Sequence, residues 1–200
     1  MISIHNVSMF ALCAAIVLAV SVSVEAKEDT GSRNRPLTRR EKNIETAGDF
    51  IQLAIPISAL IYSSSIRDWE GNLQLGESYV STAAGTQLLK YTIREERPYQ
   101  DEDTHGHSFP SGHTSAAFSG AAYWQTRYGW EVGVPMYAAA AFVGYSRVKA
   151  RKHNWADVIA GGALGIGINY CFVSEYAKDP INVSLGVEDE FAVLRVGFTF

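Results

Sequence analysis

The stretch from Asp157 to Val173 most constrains what this chain can fold into. It is largely apolar, yet it carries Gly161, Gly162, Gly165 and Gly167. A glycine costs an isolated helix about 1 kcal/mol relative to alanine. A helix here must therefore be held by neighbours that approach where a Cβ would stand. Four further segments read as helices. Ile44–Ile66 is mostly apolar, and Pro56 inside it is expected to kink or restart the helix. Glu77–Arg94 offers a small-residue face of Ala83, Ala84, Gly85, Leu88 and Leu89. Ser115–Tyr128 and Val132–Tyr145 are rich in alanine and aromatic residues and are separated by Gly129. The period changes in the tail, where Val183–Phe200 alternates over its last residues as a strand does, which predicts a short terminal hairpin. The expected fold class is all-α, a helical bundle of about five to six helices with a short β-like C-terminal tail.

A chain of 200 residues suits one domain with a real core and is too short for two ordinary ones. With 47% hydrophobic and 19% charged residues it is neither disordered nor collagen-like. A net charge of −4 argues against a general nucleic-acid binder. Two cysteines, Cys13 and Cys171, make neither a disulfide framework nor a thiolate metal site. Val7–Val24 is uncharged and is followed by Glu25-Ala26, a processing pattern that marks 1–26 as a signal peptide. No Lys or Arg stands among the first six residues, so a retained first membrane helix remains the alternative. Both readings export the chain or face it outward. Residues 27–43 form a polar basic arm, 44–178 the helical domain and 179–200 the tail. The apolar cores of the helices fall short of the roughly 20 residues a span requires. Mean hydropathy is −0.02, so an embedded and a soluble bundle both stay open.

Chemistry concentrates in three short blocks at helix boundaries. In the first, Lys90 and Arg97 are seven residues apart, two helical turns, and Pro98 closes the segment. Two cations on one face suit an anion with several oxygens; a solvated helix end balanced by Glu95 and Glu96 is the plainer alternative. The second is Ser108-Phe109-Pro110-Ser111-Gly112-His113-Thr114, directly before a helix. The Ser111 hydroxyl, the amides around Gly112 and the helix N-terminus make an anion cradle, with His113 as a proton carrier at its edge. A serine cap beside an incidental histidine would look the same. His105 and His107 sit upstream without an acidic or cysteine partner in register for a metal. In the third block, Asp157 stands four residues after His153, so on a helix it can hold one ring nitrogen and free the other as a nucleophile, and Arg147 adds a third cation. An ordinary surface pair is the alternative. Phe109, Tyr99, Trp124 and Trp155 either line an entrance or pack.

Taken in order, Lys-x6-Arg-Pro, Pro-Ser-Gly-His and Ser-Arg-x5-His-x3-Asp resemble the signature of the type 2 phosphatidic acid phosphatase (PAP2) superfamily, whose relatives include bacterial acid phosphatases and vanadium haloperoxidases. Lys90, Arg97, Pro98, Pro110, Ser111, Gly112, His113, Ser146, Arg147, His153 and Asp157 occupy every motif position. The resemblance implies a helical bundle that binds phosphate without a metal or other cofactor. Lys90, Arg97, Ser111, Gly112 and Arg147 would hold the phosphoryl oxygens. His153 would attack phosphorus to give a phosphohistidine, Asp157 would orient it, and His113 would protonate the leaving alkoxide and then activate water. Three fixed cations suit the charge that a phosphoryl transition state spreads over its oxygens.

The expected activity is hydrolysis of phosphate mono- or diphosphate esters, on lipids such as undecaprenyl diphosphate, phosphatidylglycerophosphate, phosphatidate or lipid A. The expected place is the bacterial cell envelope, facing the periplasm, with membrane association and no nucleic-acid partner. The runner-up is a soluble periplasmic acid phosphatase of loose specificity. More remote are a vanadium haloperoxidase and a non-catalytic membrane anion-binding protein.

Overall fold

The computed structural model describes residues 36–97, 107–176, 181–188 and 191–198. Residues 1–26, read above as a signal peptide or a retained membrane helix, and most of the expected polar arm, together with Pro98, Tyr99 and His105, lie outside the described residues. Five helices are described: α1 (Arg39–Ser65), α2 (Trp69–Ile93), α3 (Gly112–Tyr128), α4 (Trp130–Lys149) and α5 (Trp155–Phe172). They are followed by a hairpin of β1 (Ile181–Glu188) and β2 (Phe191–Phe198), antiparallel with Ile181 opposite Phe198. The all-α bundle with a β tail is therefore the fold observed.

Helix boundaries depart from the sequence expectation where local capping decides them. α1 starts at Arg39, inside the stretch read as an exposed arm, because Thr38 and Glu41 form a capping box. The Thr38 amide donates to Glu41 Oε2 at 2.8 Å and the Glu41 amide to Thr38 Oγ1 at 3.3 Å. Pro56 lies within α1 without ending it. α2 begins at Trp69, well before Glu77, because Asp68 caps it by accepting from the Gly71 amide at 2.9 Å. Its buried stripe is also different from the expected one. Leu75, Ser78, Thr82 and Thr86 face inward, whereas Ala83, Ala84 and Leu88 face out. The hydroxyls on that stripe are satisfied across the α2–α3 contact, Thr86 with Ser115 at 2.9 Å and Ser78 with Ser119 at 3.1 Å, which makes a polar stripe tolerable in the interior.

α3 is the central helix and packs against all four others. Its contact with α5 explains the glycine run. A Cβ on Gly161 would lie 2.6 Å from the Ser111 carbonyl oxygen, and one on Gly165 would lie 2.3 Å from that of Ser115. The two backbones touch directly, and this contact brings the start of α5 to the start of α3.

The far end of α3 is tied down by a buried ion pair. Arg127 donates Nε to Asp68 Oδ2 at 2.8 Å and Nη2 to Asp68 Oδ1 at 2.6 Å, while Nη1 reaches the carbonyls of Ser174 and Glu175. Tyr128 donates to the same carboxylate at 2.8 Å. Burial by itself raises the Asp68 pKa, but the bonds from Arg127, Gly71 and Tyr128 outweigh it and hold the carboxyl below its ordinary value. Removing one partner of such a pair strands the other. Asp68→Ala should therefore cost about 3–5 kcal/mol in a denaturation measurement at neutral pH. A depressed carboxylate stabilises above its unfolded pKa of about 3.9 and loses that contribution as pH falls through the lower folded value. The gap between wild type and variant should accordingly close only in strong acid.

Candidate active site

Asp157 is placed by the cap of α5. Asn154 is the N-cap residue; its side chain accepts from the Asp157 amide at 2.8 Å, and Asp157 Oδ2 accepts from the Asn154 amide at 3.1 Å. This reach back over the helix start turns the carboxylate toward His153, whose Nδ1 lies 3.1 Å from Oδ2. The expected pair forms, but not by helical spacing, since His153 precedes the helix. Ser108 donates its hydroxyl to the same Oδ2 and lies 3.3 Å from His153 Nδ1. The Ser111 amide donates to the Asp157 main-chain carbonyl at 3.0 Å. The second and third blocks are thus bonded to each other. His153 is 5% exposed. Burial pushes its pKa down, Asp157 opposes that, and the charges of Lys90 and Arg97 push it further down. The ring is therefore neutral near pH 7, with its proton on Nδ1 facing the carboxylate and its lone pair on Nε2.

Lys90 and Arg97 do not share a helical face as their spacing suggested. α2 stops at Ile93, Arg94 takes a left-handed conformation with φ 56°, and Arg97 lies beyond the turn. The turn nonetheless keeps them close enough to act on each other. Burial first, then the charge of Arg97, depress the Lys90 pKa to about 8, against the pull of Asp157. Lys90 Nζ donates to the carbonyls of His107 at 2.8 Å and Ser108 at 2.9 Å. It therefore fixes the loop that carries Ser108 and retains one of its three protons for another acceptor. Arg97 Nε is buried with no hydrogen-bond partner among the described residues. A buried donor left in that state is costly, and an anion beside it would remove the cost. Glu95 does not serve as a surface counter-charge: its carbonyl accepts from the Ser108 amide at 2.8 Å and its side chain from Asn154 at 3.2 Å.

The start of α3 supplies the remaining groups. Ser111 is its N-cap residue but makes no side-chain cap bond; its fully buried hydroxyl accepts from Thr114 at 3.0 Å. Its own proton is not used in that bond, so the cradle comprises this hydroxyl, Gly112 and the first-turn amides, which have no acceptor within the helix. Arg147, in the last turn of α4, is 1% exposed. Its Nη2 donates to the Glu45 carbonyl at 2.8 Å, and its Nη1 lies 2.8 Å from Asp49 Oδ1. His113 Nε2 lies 3.1 Å from that same oxygen. Burial and the charge of Arg147 lower the His113 pKa to about 4; Asp49 opposes them, and His153 and Lys152 add to them.

Sequence reasoning missed Ser108 and Asp49. Ser108 stood inside the second block without a role. Asp49 is on α1, outside all three blocks, and its one signal was a carboxylate next to a glycine at the edge of an apolar run. Of the aromatic candidates, Phe109 and Trp124 are buried in the core and Trp155 is half-exposed. His107 stacks edge-on against the Tyr91 ring.

These elements coincide with a known family. The profile of the PAP2 superfamily matches residues 71–178, more than half of the chain. The chain belongs to the PAP2 superfamily and is a phosphatase of that type. It is 30% identical over 156 residues to a lipid A 4'-phosphatase of Helicobacter pylori, covering 72% of this chain and 76% of that protein. It is 31% identical over 150 residues to a lipid A 1-phosphatase of Porphyromonas gingivalis, covering 64% of this chain but only 32% of that longer protein. Among solved structures, LpxE of Aquifex aeolicus matches with a TM-score of 0.57 at 20% identity, over 78% of this chain and 91% of that one. A transmembrane PAP2-type phosphatidylglycerolphosphate phosphatase of Bacillus subtilis matches with a TM-score of 0.57 at 20% identity, over 82% of this chain and 92% of that one. These structural likenesses carry the fold.

Proposed function

We propose that the protein hydrolyses phosphorylated lipids through a phosphohistidine intermediate without a metal ion, at the periplasmic side of a bacterial envelope membrane. The observation that carries this reading is the clustering of the His153–Asp157 pair with His113, Lys90, Arg97 and Arg147 at one end of the bundle. His153 Nε2 attacks phosphorus, the ester P–O bond breaks, and the leaving alkoxide takes a proton from His113. Asp157 stabilises the phosphoimidazolium that results. His113, now neutral, removes a proton from water; the hydroxide attacks phosphorus, phosphate leaves, and His153 regains its lone pair. Lys90, Arg97, Arg147 and the Gly112 amide offset the charge on the phosphoryl oxygens at each step.

The lipid reading is supported by relatives named for lipid A and by the surface of α1. This helix is the one among the described residues long and apolar enough to cross a membrane. Phe50, Leu53, Ile57, Leu60 and Ile61 on it are each about half or more exposed, and clustered exposed apolar side chains suit contact with a membrane. A phosphate-release panel run on membrane and soluble fractions tests the proposal. Release from long-chain lipid phosphates in the membrane fraction should exceed release from a soluble monoester at least about tenfold, because the lipid portion adds binding energy realised at the reacting centre. Equal rates from protein in the osmotic-shock fluid would instead favour the soluble acid phosphatase.

The pH profile follows from the site. Burial and Arg147 leave His113 neutral above about pH 4, so its catalytic proton must enter with a singly protonated substrate or be held by a bound dianion. Phosphate monoesters lose their second proton near pH 6. Rising pH therefore removes the productive proton, and loss of the Lys90 charge near its pKa of about 8 removes more. On the acid side, protonation of His153, whose pKa is lowered, removes the nucleophile. A bell-shaped kcat/KM profile with its maximum on the acid side of neutrality is expected; a flat profile would exclude this division of roles.

A further inference from the structure

Each imidazole of the site has its own carboxylate. Asp157 meets His153 at Nδ1, leaving Nε2 to act, and Asp49 meets His113 at Nε2, leaving Nδ1. We infer that Asp49 is a positioning residue for the proton donor: from α1 it fixes His113 so that Nδ1 faces the leaving oxygen, and it holds Arg147 beside that imidazole.

The placement of Asp49 is built into the packing. Gly48 lies against α4 so closely that a Cβ there would stand 1.9 Å from Ser146 Oγ. One turn earlier, the Glu45 carbonyl accepts from Arg147 Nη2 at 2.8 Å. These two contacts set the register of α1 on α4 and bring the Asp49 carboxylate within 2.8 Å of Arg147 Nη1 and 3.1 Å of His113 Nε2. The charged groups around His113 are otherwise cationic or neutral: Arg147 from α4, and Lys152 and His153 from the turn before α5. Asp49 alone among them favours a protonated His113. A carboxylate at that distance opposes the loss of the ring proton that burial and the cationic neighbours promote. The contact is an ion-pair approach without an aligned hydrogen bond, since Asp49 Oδ1 has no hydrogen-bond partner among the described residues. Such catalytic contacts align in the Michaelis complex. Asp49 lies outside the residues matched by the family profile, which begin at 71.

The kinetic consequence rests on the phosphatase reading above, so the test has one arm that needs no substrate. In Asp49→Asn, the titration midpoint of the His113 C2–H resonance should fall by about one pH unit, the lower end of the effect of a neighbouring charge because the pair is half-exposed. In turnover, an alkyl phosphate depends on the donated proton and an activated aryl phosphate does not. kcat for dioctanoyl phosphatidate should fall about 10- to 100-fold, within the range a general acid contributes. kcat for p-nitrophenyl phosphate should change less than about threefold, and the alkaline limb of the alkyl profile should move to lower pH. Asp49→Glu should recover part of the alkyl rate. A KM change common to both substrates reports the Arg147 contact. An unmoved His113 midpoint, or equal losses in kcat for both esters with an unmoved pH profile, overturns the inference. A wild type inactive on every phosphate ester, with the midpoint shifted as expected, overturns the phosphatase reading and leaves the Asp49–His113 pairing supported.

Discussion

Phosphate release should fall by about 10⁴-fold or more when His153 is replaced by alanine, and the protein should still fold. Loss of a nucleophile removes the covalent route altogether, and what remains is binding and charge stabilisation. Folding should survive because Asp157 Oδ2 keeps two other donors, the Ser108 hydroxyl and the Asn154 amide, so no buried carboxylate is stranded. The covalent step has its own signature. A phosphoramidate on an imidazole is labile to acid and stable to alkali. Quenching wild type with labelled substrate should therefore trap label that survives alkali and is lost in acid. His153→Ala should trap none. Turnover within tenfold of wild type, or label that survives acid, would remove His153 from the nucleophile's role. The same experiment separates an enzyme from an anion-binding protein, because binding alone leaves no covalent label.

How far the sequence could be read depended on whether a feature was local. The glycine run of α5 announced close packing because no other use of so many glycines in an apolar helix stabilises it, and Gly161 and Gly165 do touch the α3 backbone. The three blocks announced an oxyanion site through residue type and order. Period was a poorer guide where turns intervene. Seven-residue spacing placed Lys90 and Arg97 on one helix, but a left-handed Arg94 ends that helix between them. The cations still gather because the chain turns back, a tertiary outcome that spacing does not encode. Four-residue spacing paired His153 with Asp157 for a reason the structure replaces with a capping box. Asp49 was beyond reach, because its partners are 64 and 98 residues away in sequence and only the packing of α1 on α4 joins them. The inward stripe of α2 was misread for a related reason: Ser78, Thr82 and Thr86 look like surface residues until Ser115 and Ser119 are set opposite them.

Asp157→Asn isolates charge from shape and should lower kcat by about 10²- to 10⁴-fold with little change in stability. The cap bond from the Asp157 amide to Asn154 Oδ1 uses the main chain and is kept. Asp157 Oδ1 has no hydrogen-bond partner among the described residues, so a carboxamide has room to put its nitrogen there and keep its oxygen at the Oδ2 position. His153, Ser108 and the Asn154 amide would then find the same acceptor, without its negative charge. The phosphoimidazolium formed on His153 loses the counter-charge that stabilises it, and the burial that depresses the His153 pKa goes unopposed. Two measurements follow from that sign. The rate of phosphoenzyme formation should fall more than substrate affinity, since the charge acts on the transition state and not on the phosphate cradle. The acid limb of the pH profile should move to lower pH, because His153 becomes harder to protonate. If the amide instead turns its nitrogen toward His153, the ring proton is driven to Nε2 and attack is blocked, which places kcat at the bottom of the range. Turnover equal to wild type with an unmoved acid limb would show that Asp157 serves the cap of α5 and not the chemistry of His153.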